Sequence, residues 1–125
     1  MIIIKEESLG NGLRLQFTDE SNRYFGDYHR VCVVATITCD LQTLPKNTPE
    51  EDEFRQQAIE ALGEQWSVVK RFERMGVSSA DVEDVRTTLI EDFLKHTSQY
   101  LSRPGYMRSL VSAELKKRSS GRFYD

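Results

Sequence analysis

The stretch that determines the fold is residues 28–40, which read YHRVCVVATITCD. β-Branched residues dominate it, and these favour extended strands because their side chains pack well on a pleated surface. Successive side chains of a strand point to opposite faces. One face then carries Val31, Val33, Ala35, Ile37 and Cys39, and the other carries Cys32, Val34, Thr36 and Thr38. Because the second face is also fairly apolar, we expect a central strand or one covered on both sides.

Two further strands are predicted before this stretch. The isoleucines at 2–4 begin a short strand, and residues 10–12 (GNG) supply the turn chemistry that returns the chain. Leu13, Leu15 and Phe17 then alternate with polar residues. That alternation predicts a half-buried second strand.

The apolar faces of the second and third strands fix the register of the hairpin between them. Both sets of apolar residues occupy odd positions, so the numbers of cross-strand partners must sum to an even value. The connecting loop then has an odd number of residues. A loop of Phe25, Gly26 and Asp27 meets this condition, with Gly26 free to take a positive φ.

The remainder of the chain is predicted to be helical. Thr48 and Pro49 are typical of a helix start, and apolar residues then recur at three- and four-residue spacing as far as Met75, before Gly76. A second helix begins at Ser78 or Ser79. The apolar face of this second helix carries Val82, Val85, Leu89, Phe93, His96 and Tyr100. A shorter helix is predicted over residues 106–117.

Strands followed by helices predict an α+β fold, with a small antiparallel three-stranded β-meander, a long antiparallel helical hairpin and a short C-terminal helix. Residues 1–118 would form a single domain, and residues 119–125 a flexible C-terminal tail. A first long helix of about 26 residues would measure about 39 Å, which is long for so small a sheet to cover. We therefore expect part of the helical apolar face to bind a second subunit in a homodimer.

Composition excludes several classes of protein. The 125 residues are 38% hydrophobic and 30% charged, with a formal charge of −3, and the longest uninterrupted apolar run is residues 31–35. That run is too short to cross a bilayer, so we expect a cytoplasmic protein without membrane contact. Cys32 and Cys39 lie seven residues apart on one predicted strand, about 23 Å at 3.3 Å per residue. They are too far apart to form a disulfide with each other.

The most unusual segment is residues 22–31, NRYFGDYHRV, which places cations, aromatic rings and an imidazole at one hairpin end. Such a cluster could bind a phosphate, a nucleotide base or an acidic peptide. The alternative is that tyrosine and arginine are simply good cross-strand partners near a hairpin tip. The candidate recognition surface consists of Arg23, Tyr24, Tyr28, His29 and Arg30.

Charge is divided unevenly along the chain. Residues 1–102 hold 11 basic and 18 acidic residues, whereas residues 103–125 hold 6 basic and 2 acidic residues. A basic patch can bind nucleic acid or an acidic surface. Cations at the end of the last helix also complement its exposed carbonyls, which would be a purely structural role. The candidate basic patch consists of Lys116, Lys117, Arg118 and Arg122.

Motifs for catalysis, metal binding and cofactor binding are missing from the sequence. A nucleophilic enzyme needs a base beside its nucleophile, and the two histidines offer few such pairs. The sequence has neither a phosphate-cradling glycine loop nor a dinucleotide fingerprint. His29 and the two cysteines would not converge on one strand, so we expect no metal site and no cofactor.

Three functional hypotheses remain open. The first is a small interaction module that self-associates and binds a protein partner through the hairpin end. The second is binding of RNA or single-stranded nucleic acid by the hairpin aromatics and the C-terminal cations. The third is a small-molecule enzyme or ligand-binding protein that uses His29 or His96 in a pocket between sheet and helices.

Overall fold

The structure, a computed structural model, describes residues 2–9, 12–101, 103 and 105–121. Five strands lie within these residues: β1 (Ile2–Leu9), β2 (Leu13–Asp19), β3 (Asn22–Phe25), β4 (Tyr28–Asp40) and β5 (Gln65–Ser78). The helices are α1 (Pro49–Leu62), α2 (Val82–Leu101) and α3 (Tyr106–Gly121), with short 3₁₀ turns at Leu41–Thr43 and Ser79–Asp81. The predicted α+β class is confirmed, but the sheet is larger than a three-stranded meander.

The strand predicted to be central, β4, does occupy the middle of the antiparallel sheet. β2 and β3 lie end to end along one side of β4, with β1 beyond β2, and β5 pairs with the other side. The link between β2 and β3 stays close to β4, because Glu20 N donates to Cys32 O at 2.9 Å and Cys32 N donates to Ser21 Oγ at 2.9 Å. The predicted turn at residues 10–12 includes two residues outside the described part of the chain.

The predicted register parity is confirmed. β2 pairs Leu13 with Cys39 and Phe17 with Ala35, so each pair sums to an even number. The loop itself differs from the prediction. Phe25 ends β3 and pairs with Tyr28, which leaves a two-residue turn, and a register shift between Arg23 and Phe25 supplies the third residue. A bulge thus has the same effect on parity as a longer loop would have.

The predicted long helix over residues 48–76 is wrong, and with it the long helical hairpin. α1 does begin as predicted, because Thr48 Oγ1 accepts a hydrogen bond from Glu51 N at 3.1 Å. The helix ends at Leu62, and Gly63 N donates to Ile59 O at 2.8 Å. Residues 65–78 then form β5, which pairs with β4 along its whole length.

The later helices agree better with the sequence. α2 begins after Ser79–Asp81, and α3 begins at Tyr106 as predicted but continues to Gly121, into the segment expected to form a tail. Leu89 and Phe93 of α2 are buried, whereas His96 is exposed. Within the described residues, no helix is long and apolar enough to span a membrane.

All three helices pack on one face of the sheet. The apolar residues of β4 at odd positions share one core cluster with Ala58 of α1, Phe93 of α2 and Val111 of α3. Cys32 and Val34 are buried as well, yet they lie on the opposite face and outside this cluster. We call that opposite face the open face. It holds the even-numbered side chains of β2 and β4.

The original reason for expecting a second subunit is therefore removed. That reason was a helix of about 26 residues that exceeded the width of the sheet, and the segment after Leu62 is instead a strand of the sheet itself. α1 is only 14 residues long.

Candidate functional site

The β3–β4 hairpin ends in aromatic side chains that face solvent. Tyr24, Phe25 and Tyr28 are 48%, 73% and 51% exposed. Phe25 and Tyr28 are cross-strand partners, which brings their side chains next to each other. Large apolar side chains that cluster on a surface are typical of binding sites, whereas single exposed ones are common and carry no such meaning.

A bulge in β5 lies beside this end of the hairpin. His29 pairs with Val77 while Val31 pairs with Arg74, so β5 has a bulge that contains Met75 and Gly76. Tyr24 Oη lies 3.8 Å from the point where a Cβ on Gly76 would stand, so the Tyr24 ring reaches across to the bulge. Met75 is 59% exposed but lines a groove with Val85 and Leu89 of α2. We call the surface formed by Tyr24, Phe25 and Tyr28 the aromatic end.

The turn behind these rings is fixed by three hydrogen bonds to Ser79. Ser79 N donates to Asp27 O at 3.2 Å, and Ser79 Oγ donates to Asp27 Oδ1 at 2.5 Å. His29 Nε2 lies 2.9 Å from the same hydroxyl. Gly26 completes the turn with a φ of 52°. The aromatic end is thereby attached to the start of α2 and presents its rings from a fixed backbone.

The cluster of Asp27, Ser79 and His29 contains the residue types of a catalytic triad. Its hydrogen bonds run in a different order, because Ser79 and not His29 is the middle residue. A hydroxyl has one proton, and here Ser79 gives it to Asp27, so His29 must act as the donor to Ser79 Oγ. A nucleophilic serine instead needs its proton accepted by the histidine. The cluster therefore holds the turn in place and does not activate Ser79.

The predicted recognition residues differ in how accessible they are. Arg23, Tyr24 and Tyr28 are exposed, and His29 and Arg30 are half-buried. Arg30 forms an ion pair with Glu73 and also donates to Asn22 Oδ1 at 3.3 Å. The hydrogen bond to Glu73 raises the pKa of Arg30 above its already high ordinary value. Arg30 is thus part of the sheet surface, whereas Arg23 is exposed and lies opposite His29.

Ion pairs also neutralise much of the open face. Arg14 lies 3.8 Å from Glu6, Arg71 pairs with Glu20, and the Arg30 pair with Glu73 lies between β4 and β5. Cys32 is fully buried on this face. Binding of a phosphate backbone requires cations that are not already compensated, so the open face is poorly suited to it.

The candidate basic patch is divided in the structure. Arg118 donates to Ala61 O at 3.2 Å and lies 3.1 Å from Glu114 Oε1, so it supports the C-terminal end of α1. Lys116 and Lys117 are exposed on α3. Arg122 lies outside the described residues. Arg118 thus binds a carbonyl at the C-terminal end of α1, whereas the predicted structural role concerned the carbonyls at the end of α3 itself.

His96 lines an open groove and not an enclosed pocket. The groove has a volume of about 260 Å³ and lies between β5 and α2, with Phe72, Phe93 and Asp92 among its lining residues. His29 is not among the residues that line this groove and binds Ser79 instead. In the part of the chain that the structure describes, no group of three or more His, Cys, Asp and Glu residues could hold a metal ion.

Both cysteines are fully buried, and Cys39 supports a prediction about pH. Burial raises the pKa of the Cys39 thiol from its ordinary value of 9.0 to about 11. Between these values the unfolded chain has lost the proton while the folded chain keeps it, so the free energy of unfolding falls as the pH rises. The stabilisation is fully present below pH 9.0.

We expect wild type to lose stability more steeply than Cys39→Ala between pH 9.0 and about 11. Urea unfolding at several pH values measures this, and the comparison of the two proteins cancels the titration of the other residues. Parallel curves would show that Cys39 ionises equally in the folded and unfolded states.

Comparisons with known proteins give no relative from which a function could be inferred. A scan against protein-family models finds no match. Searches of curated proteins and of solved structures also find none. The interpretation of the site therefore depends on its own geometry.

One residue of the aromatic end, Phe25, is absent from the predicted site residues, because the sequence predicts it in the hairpin loop. A signal for Phe25 is nevertheless present, because turns are usually polar and an aromatic residue beside Gly26 has little core to enter. The β5 bulge beside Tyr24 has no such signal, since it depends on β5 pairing with β4.

Proposed function

We propose that this protein is a small binding module that docks to a partner protein through the aromatic end. The observation that supports the proposal is the exposure of Phe25, at 73%, beside two half-exposed tyrosines on a braced turn. Tyrosine and other large side chains dominate the binding energy of protein interfaces when they enter a partner's pocket. No catalytic role is assigned to the protein.

The bracing of the turn favours this function energetically. Binding usually costs free energy because loops and side chains must become ordered. Here Ser79 already fixes the Asp27 backbone and side chain. Phe25 and Tyr28 then need to order only their own side-chain rotamers, which an aromatic residue does at low cost because it has two χ angles.

The chemistry of the aromatic end also indicates the kind of partner surface. Three aromatic side chains call for an apolar pocket or groove. Arg23 is exposed on the same hairpin, opposite His29, whereas the Asp27 carboxylate is occupied by Ser79. We therefore expect a pocket with a carboxylate at its rim, where it can pair with Arg23.

Affinity capture from cells of origin tests the proposal with matched variants. Phe25→Ala and Tyr28→Ala should each reduce the captured partner by tenfold or more, since interface anchors contribute about 2 kcal/mol or more. Tyr100→Ala is the control, because Tyr100 is also an exposed aromatic residue, at 45%, but lies at the far end of α2. All three variants should keep the wild-type unfolding midpoint.

Retention of the same partners by Phe25→Ala and Tyr28→Ala would contradict the proposal. Nucleic-acid binding is the competing outcome, since exposed rings also stack on bases. It would appear as binding of the wild type to a labelled single-stranded oligonucleotide that weakens steeply with salt. In that case the aromatic end would bind a nucleic acid in place of a protein.

A further inference from the structure

β5 is a long edge strand with an unpaired side. It spans Gln65–Ser78, and within the described sheet it pairs with β4 alone. Val69, in its first half, is 53% exposed on the open face. An unpaired edge presents backbone donors and acceptors to any other strand that can approach, so natural proteins either block it or use it.

We propose that β5 pairs with β5 of a second copy of this chain, antiparallel about a twofold axis at Val69, to form one continuous sheet. A twofold axis perpendicular to the sheet keeps each side chain on its own face. The numbers of opposed residues must then sum to an even value. One residue therefore lies directly opposite its own copy, and the axis passes between these two. This proposal does not depend on the function proposed for the aromatic end.

Charge selects the register among the alternatives. Registers that pair nine or more residues of β5 place the axis at a residue from 69 to 74. Four of these set a charged residue against its own copy, namely those centred on Lys70, Arg71, Glu73 and Arg74. The axis at Phe72 sets Lys70 against Arg74 but also Arg71 against Glu73, so repulsion and attraction offset each other, and its pairs extend through the bulge at Met75 and Gly76. The pairs of the Val69 register end before that bulge. Like charges directly opposite each other destabilise a strand pair, so the axis at Val69 is favoured.

The register centred on Val69 also brings attractive pairs together. Trp66 lies opposite Phe72 of the second copy, and both side chains are on the helix-covered face. Arg74 lies opposite Glu64, just beyond the strand end, so opposite charges meet twice across the axis. In the four registers centred on a charged residue, the charged residues of β5 oppose strand pairing. In the Val69 register they favour it, so they select one register over the others.

The side chains that would meet are incompletely covered in the single chain. Trp66 lines a groove of about 330 Å³ with Leu110 of α3. Phe72 lines the groove of about 260 Å³ that also contains His96. Both residues are half-buried. A second copy on β5 would bring Trp66 and Phe72 together across the axis.

The geometry of such a dimer has a consequence for binding. β5 runs from the axis at Val69 to the bulge beside the aromatic end, and the two strands run in opposite directions. At about 3.3 Å per residue the two aromatic ends would lie roughly 50 Å apart at opposite ends of the sheet. The dimer would then be bivalent.

Single-cysteine cross-linking tests the register. Val69→Cys, Ser67→Cys, Arg71→Cys and Glu73→Cys place a thiol at successive positions of the open face, and the native cysteines are buried. Oxidation should give covalent dimer most efficiently for Val69→Cys, because only there does a residue face its own copy. A maximum at any other position, or equal yields at all four, would overturn the proposed register.

Light scattering tests the dimer itself. The wild type should have twice the mass of the 14.5 kDa chain, and Val69→Lys should have the mass of one chain because two ammonium groups would meet on the axis. Val69→Thr, which remains β-branched and uncharged, is the matched control and should stay dimeric. A wild type that is monomeric over a wide concentration range, or a dimeric Val69→Lys, would overturn the proposal.

Discussion

Replacement of Phe17 by alanine is expected to lower the free energy of unfolding by about 3–5 kcal/mol, the range for removing a fully buried phenylalanine. Phe17 has no exposed surface, and its ring packs edge-to-face against Phe93 with 5.5 Å between centroids. Phe93 in turn contacts Phe72 at 5.5 Å. The Phe17 side chain thus connects β2 to α2, and through it to β5, so its loss would open a cavity where three elements meet.

Urea unfolding followed by circular dichroism measures this loss. Phe25→Ala is the matched control, because Phe25 is the same residue type but 73% exposed, and its replacement should change stability by no more than about 0.5 kcal/mol. Equal effects of the two substitutions would contradict the placement of Phe17 in the core and Phe25 on the surface.

Replacement of Gly12 by alanine is expected to cost about 2–3 kcal/mol. Gly12 has a φ of 82°, a left-handed conformation that costs an alanine about 1–2 kcal/mol. A Cβ at this position would lie 2.2 Å from Thr43 Oγ1. That hydroxyl donates to Asp40 O at 2.7 Å, so its displacement would cost a hydrogen bond of about 1 kcal/mol.

The control for Gly12→Ala is Gly26→Ala. Gly26 also has a positive φ, 52°, but a Cβ there would meet nothing within 4 Å. We expect Gly26→Ala to cost only the backbone term, about 1 kcal/mol or slightly more. Unfolding midpoints in urea would show the difference. If the two alanine variants were equally stable, Thr43 would not pack against Gly12 as described.

The parity of the register between β2 and β4 could be predicted from the sequence because the apolar residues of both strands alternate with period two. Leu13, Leu15 and Phe17 can share a face with the apolar residues of β4 only if the paired numbers sum to an even value. The bulge near Tyr24 does not change this parity. It adds one residue to the two-residue turn, so the connection still has an odd number of unpaired residues. Such patterns are local and therefore visible in one sequence.

β5 could not be identified as a strand because its apolar residues fit two periods. Val69, Phe72 and Met75 recur every third residue, as on a helix, whereas Trp66, Val68 and Phe72 occupy even positions, as on one face of a strand. The strand form is selected by β4, which offers β5 a full-length partner. That pairing is tertiary and cannot be read from local spacing.

The candidate site was predicted in part for the same reason. The aromatic and basic residues at 22–31 are visible in the sequence, and the structure places Tyr24 and Tyr28 on the surface. Nothing local indicates that Arg30 forms an ion pair with Glu73, because Glu73 comes from β5. The brace through Ser79 likewise depends on where β5 ends.

Site-specific photo-cross-linking shows whether the aromatic end is the surface that binds a partner protein. A photoreactive phenylalanine analogue at Phe25, introduced in cells of origin, should cross-link to a discrete partner protein. The same analogue at Tyr100, an exposed aromatic position at the other end of α2, should not. Equal cross-linking from both positions, or none from Phe25, would show that the aromatic end is not the binding surface.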